Sequence, residues 1–235
     1  MPATIPTLAT TMSDTTSRYN NILARIREAA HSAGREPPRL LAVSKAKPAS
    51  AIRELATAGQ RAFGENYLQE ALDKQAELAD LPLEWHFIGH LQSRKCAEVA
   101  AHFDWLQSLD REKLIPRLDE ARDPARGPLN VLLQVNIDDE DSKSGCTPEQ
   151  IDVLADAVAA TDGLRLRGLM AIPAPGDAQR LRASFARLRE LFERLRDRFP
   201  DVDTLSMGMS DDFPLAIAEG ATLLRIGSAL FGPRS

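Results

Sequence analysis

Short apolar runs alternate with longer segments of helical periodicity along nearly the whole chain. In residues 14–33, Ile22, Leu23, Ile26, Ala29, Ala30 and Ala33 recur at helical spacing, and Gly34 with the Pro37-Pro38 pair ends the pattern. The run RLLAVS at 39–44 is too brief for a helix and reads as a strand. A helical stretch that Pro48 opens and Gly59 closes comes next. The same couple then repeats: 61–65 before 67–79, 86–89 before 91–101, and 104–109 before 111–121. In the second half, 130–137 precedes 148–160, 166–172 precedes 178–198, 204–207 precedes 212–219, and 222–227 precedes a short C-terminal stub.

Eight strand–helix couples in strict alternation predict a parallel sheet, closed into a barrel or open as a doubly wound layer. Closure is favoured. The count is close to eight, no GxGxxG turn follows the first strand, and nearly all polar motifs follow strands. The expected fold is α/β, a single (β/α)8 TIM barrel over residues 14–235, preceded by a flexible N-terminal tail at 1–13. The segment 178–198 shows the pattern of an outer barrel helix: Leu181, Phe185, Leu188, Phe192, Leu195 and Phe199 form one stripe, and Glu190, Glu193 and Asp197 interrupt the arginines opposite.

Composition supports this and removes some functions. At 235 residues the length suits one barrel, and 43% hydrophobic residues supply a sizeable core. A net charge of -5 disfavours nonspecific binding to nucleic acid or anionic lipid. The first dozen residues have neither the basic residue of a signal peptide nor a long apolar run, so the cytoplasm is the expected location. Cys96 and Cys146 lack partners at metal-ligand spacing and read as reduced, unreactive thiols.

Barrel enzymes carry chemistry at the C-terminal ends of the strands, often with a phosphate site in the last two loops. Here SMGMSDD at 206–212 follows the seventh strand, and RIGS at 225–228 follows the eighth. Ser206, Ser210 and Ser228 offer hydroxyls, while Gly208 and Gly227 permit close backbone approach, a combination suited to a phosphate dianion. The plainer alternative is turn and capping residues. In AVSKAKP, Lys45 and Lys47 follow the first strand, where poor solvation would free an amine to attack a carbonyl, or leave a rim charge. His86 and His90 in WHFIGH lack a third metal ligand and the helical setting of a zinc pair, so a structural or pocket-lining role is expected. The acidic run 138–141 lacks EF-hand spacing and reads as a solvated loop.

AVSKAKP, FGENYLQE, WHFIGHLQSRK, LLQVNIDDEDSKSG, RGLMAIP, LSMGMSDD and RIGSALFG, in that order, resemble the pyridoxal phosphate homeostasis protein family, whose fold is similar to the N-terminal barrel of alanine racemase, fold type III. The resemblance covers residues from about 14 to the end. It implies pyridoxal 5′-phosphate as cofactor, carried by Lys45 as a Schiff base, with Ser210, Gly227 and Ser228 holding the phosphate; Ser206, from the same loop motif, is counted with the cofactor-binding residues. It also places Arg225 at the pyridine nitrogen and Asn66 beside the cofactor. Lys47 becomes a second amine for transfer, and Lys143 resembles a position linked to a secondary cofactor site.

The implied function is sequestration, buffering and delivery of the cofactor, with consequences for amino-acid and keto-acid metabolism. Pyridoxal-dependent apoenzymes are the candidate recipients, and a monomer is the default. The alternative is a small pyridoxal-dependent racemase or related amino-acid enzyme. Racemisation by two opposed bases calls for a tyrosine beyond the barrel, and only Tyr19 and Tyr67 are present, which favours a binding protein over an enzyme. Departures from the family pattern are Arg94 in place of a common Asn, Ser228 in place of a frequent Thr, and the ending GPRS, which argues against tail-assisted transfer.

Overall fold

The computed structural model describes residues 14–140 and 144–232. The tail expected at 1–13 and the position Lys143 lie outside the described residues.

Helix α1 (Asp14–Ser32) precedes eight strands: β1 (Arg39–Val43), β2 (Ala62–Glu65), β3 (Glu84–Phe87), β4 (Trp105–Leu109), β5 (Leu129–Gln134), β6 (Leu164–Met170), β7 (Thr204–Ser206) and β8 (Leu223–Ile226). Each pairs in parallel with the next and β8 pairs with β1, so the sheet closes as a barrel. The crossover helices are α2 (Ala49–Thr57), α3 (Leu68–Glu77), α4 (Cys96–His102), α5 (Ile115–Ala121), α6 (Ile151–Ala159), α7 (Ala178–Arg198) and α8 (Phe213–Ala218), and the one-turn α9 (Ser228–Phe231) follows β8. The eight-couple barrel read from the pattern is therefore present.

Boundaries differ where polar residues face inward or a 3-10 turn intervenes. Strand β3 spans Glu84–Phe87 rather than 86–89, because Glu84 already belongs to the barrel wall and pairs with Ala62. The helices expected from 91 and 111 start as 3-10 turns, Ser93–Lys95 and Glu112–Leu114, before becoming α-helical. Of the acidic run, Asp138 is no solvated residue: its carboxylate accepts from the Ala174 N–H and the Ser184 hydroxyl, both at 2.6 Å, and so ties the β6–α7 loop to the β5 end.

Strand alternation sorts side chains to two sides. One set fills the annulus between strands and helices, where Phe63, Leu106, Leu133, Phe185 and Phe213 are buried against the helix stripes. On α7, Phe185, Leu188, Phe192 and Leu195 are buried as the stripe predicts, while Arg198 on the outer face pairs with Asp152 and Asp156. The other set fills the barrel. Two small apolar clusters sit there, Leu41, Ala62 and Leu223 with Ile88, and Trp105, Leu132 and Met170. Polar side chains occupy the space between them. Both cysteines are buried as free thiols, and burial pushes Cys146 up to about 12.

Candidate functional site

A cavity of about 270 Å³ opens at the C-terminal end of the barrel, near the lower bound of the roughly 300–1,000 Å³ typical of small-molecule sites. Its walls come from the ends of β1, β2, β3, β6, β7 and β8. Lys45, Asn66, Ser210, Arg225, Gly227 and Ser228 all line it, as do Lys47 and Asp211. Six of the seven residues singled out in the sequence thus converge on one space. Ser206 does not line it. Its hydroxyl is fully buried one layer below, where it accepts from Arg225 Nη1 at 2.8 Å and donates to Gln107 Oε1 at 2.7 Å.

Lys45 follows β1, and the main chain on both sides of it is held. The Ser44 carbonyl accepts from Lys74 Nζ at 2.8 Å, and the Ala46 N–H donates to Glu70 Oε1 at 2.6 Å. Ala46 adopts a φ of 57°, a left-handed conformation that alanine seldom takes without such anchors. Lys74 is nearly fully buried on α3 and also contacts Glu65 at 2.8 Å and Glu70 at 2.5 Å. Burial raises the Glu65 carboxyl above its usual range, against the pull of Lys74 and the Ser44 hydroxyl. Alternation along FGEN therefore assigns opposite tasks to neighbours: Glu65 points outward to this lysine, and Asn66 lines the cavity.

Asn66 is fixed from behind by a close backbone approach. A Cβ at Gly89 would stand 2.0 Å from the Asn66 carbonyl oxygen, so only glycine fits there. Ser108 donates to the Gly89 carbonyl at 2.6 Å and locks the same loop from below. The Asn66 side-chain oxygen is buried with no hydrogen-bond partner among the described residues, an acceptor placed for a ligand.

Arg225 is buried on β8, with Nη1 on Ser206 and Nη2 on the Ala171 carbonyl, both at 2.8 Å. Burial pushes its guanidinium down to about 10, with Asp212 opposing, so it stays cationic at neutral pH. Lys45, Lys47 and Arg225 face a single lining carboxylate, Asp211, which makes the cavity suited to an anion.

The seventh and eighth loops meet on one side of the cavity. Ser228 donates to the Ser210 hydroxyl at 3.1 Å, and the Ala229 N–H approaches the same oxygen at 3.4 Å. The turn that presents Ser210 is braced by Asp212, which accepts from the Met209 N–H at 2.6 Å. Gly208 begins that turn at a φ of 91°, and a Cβ there would lie 2.6 Å from the Ala216 Cβ. At Gly227 a Cβ would stand 3.2 Å from the Val43 carbonyl oxygen, so the chain passes close to β1 without a side chain to fill the cradle.

Two groups of residues escaped the sequence reading. Glu65, Glu70 and Lys74 act through the main chain beside Lys45, and the one available signal was the Glu70/Lys74 spacing of four on a helix. The second group lies inside the barrel. His86, read as structural or pocket-lining, is fully buried there, bonded to Gln107 at 2.8 Å and Glu84 at 2.8 Å, whereas His90 lies at the surface near Arg111 and Ser144. Among the described residues, no group of three or more His, Cys, Asp or Glu could hold a metal ion.

Comparison with known proteins agrees with this architecture. The alanine racemase N-terminal domain family matches residues 18–235. A pyridoxal phosphate homeostasis protein of Pseudomonas aeruginosa is 59% identical over 226 residues, covering 95% of this chain and 97% of the relative. The protein of the same name from Escherichia coli is 51% identical over 236 residues, with 95% and 98% covered. Among solved structures, Synechococcus elongatus PipY with pyridoxal 5′-phosphate bound superposes with a TM-score of 0.81 at 38% identity, over 93% of this chain and all of that one (100%). Corynebacterium glutamicum alanine racemase, at 19% identity and a TM-score of 0.68, shares the fold over 91% of this chain and 61% of its own.

Proposed function

We propose, because this chain belongs to the pyridoxal phosphate homeostasis protein family, that it binds pyridoxal 5′-phosphate in the cavity at the barrel mouth and serves to sequester, buffer and deliver it. The observation that carries the reading is the convergence of Lys45, Arg225, Asn66 and the Ser210–Ser228 pair on one cationic cavity. Residues 14–235 act as one binding unit, a cytoplasmic monomer whose recipients are pyridoxal-dependent apoenzymes. Among the described residues no helix is long and apolar enough to cross a membrane.

The residues fit the cofactor on three counts. The unpartnered Asn66 oxygen awaits a donor, the Gly227 cradle admits a ligand close to the backbone, and two hydroxyls sit where an anionic end can be held. When bound, the cofactor supplies an aldehyde able to condense with an amine and a ring able to draw electrons from it. Lys45 is the amine: its neighbours Ser44 and Ala46 are tied to α3, so the side chain starts from a fixed backbone. Ser210 and Ser228 would hold the phosphate with their hydroxyls. Arg225 is a donor only and remains charged, so it would offer a ring nitrogen a hydrogen bond without surrendering a proton. Beside Arg225 rather than a carboxylate, the ring would draw electrons less strongly, which supports holding over turnover.

The positions of the two tyrosines support a binding role over a two-base racemase. Tyr19 is buried on α1, and Tyr67, 61% exposed before α3, does not line the cavity. The test is an absorption spectrum of the purified protein, with borohydride reduction and mass mapping. A cofactor adduct on Lys45 that survives dialysis, disappears in Lys45→Ala and accompanies negligible amino-acid turnover supports the reading. Robust racemase or decarboxylase turnover, or an adduct at another lysine, overturns it.

A further inference from the structure

A single file of polar side chains runs through the inside of the barrel from the cavity to the opposite end. Arg225 Nη1 meets Ser206 Oγ at 2.8 Å, Ser206 meets Gln107 Oε1 at 2.7 Å, Gln107 Nε2 meets His86 Nδ1 at 2.8 Å, His86 Nε2 meets Glu84 at 2.8 Å, and Glu84 meets Arg39 at 2.6 Å. Four strands besides β8 contribute: β7, β4, β3 and β1. The two apolar clusters of the barrel interior flank the file.

We propose that Gln107 and His86, neither of which lines the cavity, are positioning residues for Arg225, fixing the guanidinium that faces the cofactor ring and so setting the proton state of that ring. The proposal rests on the cofactor reading above.

The argument is one of hydrogen-bond polarity. A guanidinium only donates, so the Ser206 oxygen accepts from Arg225 and must send its own proton on to Gln107 Oε1. That fixes the amide orientation, and Gln107 Nε2 donates to His86 Nδ1. The proton of a neutral His86 then sits on Nε2 and goes to Glu84. Starting from the other end yields the same order. Arg39 donates to Glu84, a carboxylate that only accepts, so His86 Nε2 must donate and Nδ1 must accept. Two independent ends fix one polarity with no clash along the file.

The file is also rigid. His86 stacks on Trp105 with ring centroids 5.1 Å apart and planes within 6°, and the Arg167 guanidinium lies over the Trp105 ring at 5.1 Å. Burial lowers His86 against the pull of Glu84, which favours the neutral ring that the polarity requires; Arg39 and Asp104 are the further charges acting on it. At the cavity end, Asp212 is the acidic influence on Arg225, while Lys45, Lys47 and Asp211 share the wall. Leucine or methionine would fill the same barrel volume without desolvating polar groups, so the file is not explained by packing alone.

The test uses the full chain loaded with pyridoxal 5′-phosphate. In Gln107→Met the cofactor stays on Lys45 by reduction and mass mapping. The pH midpoint of its absorption change moves by about one unit, and it is held roughly tenfold less tightly, the scale of one lost hydrogen bond to a charged group. Ser206→Ala behaves alike, and Ser206→Thr, which keeps the hydroxyl, restores the midpoint. An unmoved midpoint in Gln107→Met with Lys45 still modified overturns the proposal. A missing Lys45 adduct in the unaltered protein instead removes the cofactor reading itself. Should the variants not fold, ¹⁵N NMR of His86 in the unaltered protein decides: a neutral ring with its proton on Nε2 is expected, and a proton on Nδ1 or an imidazolium sinks the idea.

Discussion

Glu70 on α3 accepts the backbone N–H of Ala46 at 2.6 Å, one residue beyond the lysine at the mouth of the barrel. Lys74, one helical turn later, takes the Ser44 carbonyl on the lysine's other side. A single helix therefore grips the peptide on both flanks of Lys45, and the grip depends on a nearly buried cation shared by two carboxylates.

Lys74→Met should lower unfolding stability by about 3–5 kcal/mol, because it leaves Glu65 buried without a counter-charge. Urea titration measures this, and the double variant Glu65→Gln/Lys74→Met should recover much of the loss. Glu65 is already raised by burial, and without Lys74 it rises further. A raised carboxyl adds stability at acid pH and loses it as pH climbs through the folded value, so the single variant should weaken relative to the unaltered protein as pH rises above the ordinary glutamate range.

Ser210→Ala and Ser228→Ala each remove a hydroxyl from the side of the cavity formed by the last two loops. Affinity for pyridoxal 5′-phosphate should fall roughly tenfold in each, while affinity for pyridoxal, which has no phosphate, stays near its original value. Fluorescence titration with both compounds gives the ratio. Equal losses for both would show that these hydroxyls do not contact the phosphate.

Gly208→Ala combines a left-handed backbone with a Cβ 2.6 Å from that of Ala216. The expected cost exceeds about 2 kcal/mol, from strain and overpacking together. Adding Ala216→Gly removes the collision and leaves the φ, so thermal unfolding of the double variant should recover part of the loss and no more.

Glu84 is a half-buried carboxylate. Burial alone would raise it, but the His86 N–H and the Arg39 guanidinium outweigh burial and hold it well below the usual range. Its contribution is present above the ordinary glutamate value and fades as pH falls through the lowered one. The stability gap between the unaltered protein and Glu84→Gln should therefore be widest near pH 7 and close progressively below about pH 4.5, near the reference value for glutamate.

The barrel was legible because its strands are short apolar runs punctuated by helices with clear stripes, and a period of that kind survives in one dimension. Six of the residues that line the cavity were legible through motif resemblance, since Lys45, Asn66 and the two serine-bearing loops each sit at a strand end. Ser206 is the one of the seven that does not line the cavity. It sits on β7 in register with Met170 of β6, fully buried, with its hydroxyl taken up by Arg225 and Gln107. The internal polar file was invisible because its members, Arg39, Glu84, His86, Gln107, Ser206 and Arg225, become neighbours only when the sheet closes. A polar residue within a strand reads locally as a break, which is why β3 was placed two residues late.

Pairing of β8 with β1 leaves the barrel wall without an open strand edge. Among the described residues the barrel thus offers no row of unsatisfied main-chain groups against which another protein could lay a strand of its own, so β-augmentation at the wall is ruled out as a docking mode. Any handover of cargo must be negotiated through helices and connecting loops, the parts of this architecture most free to vary while the wall stays intact.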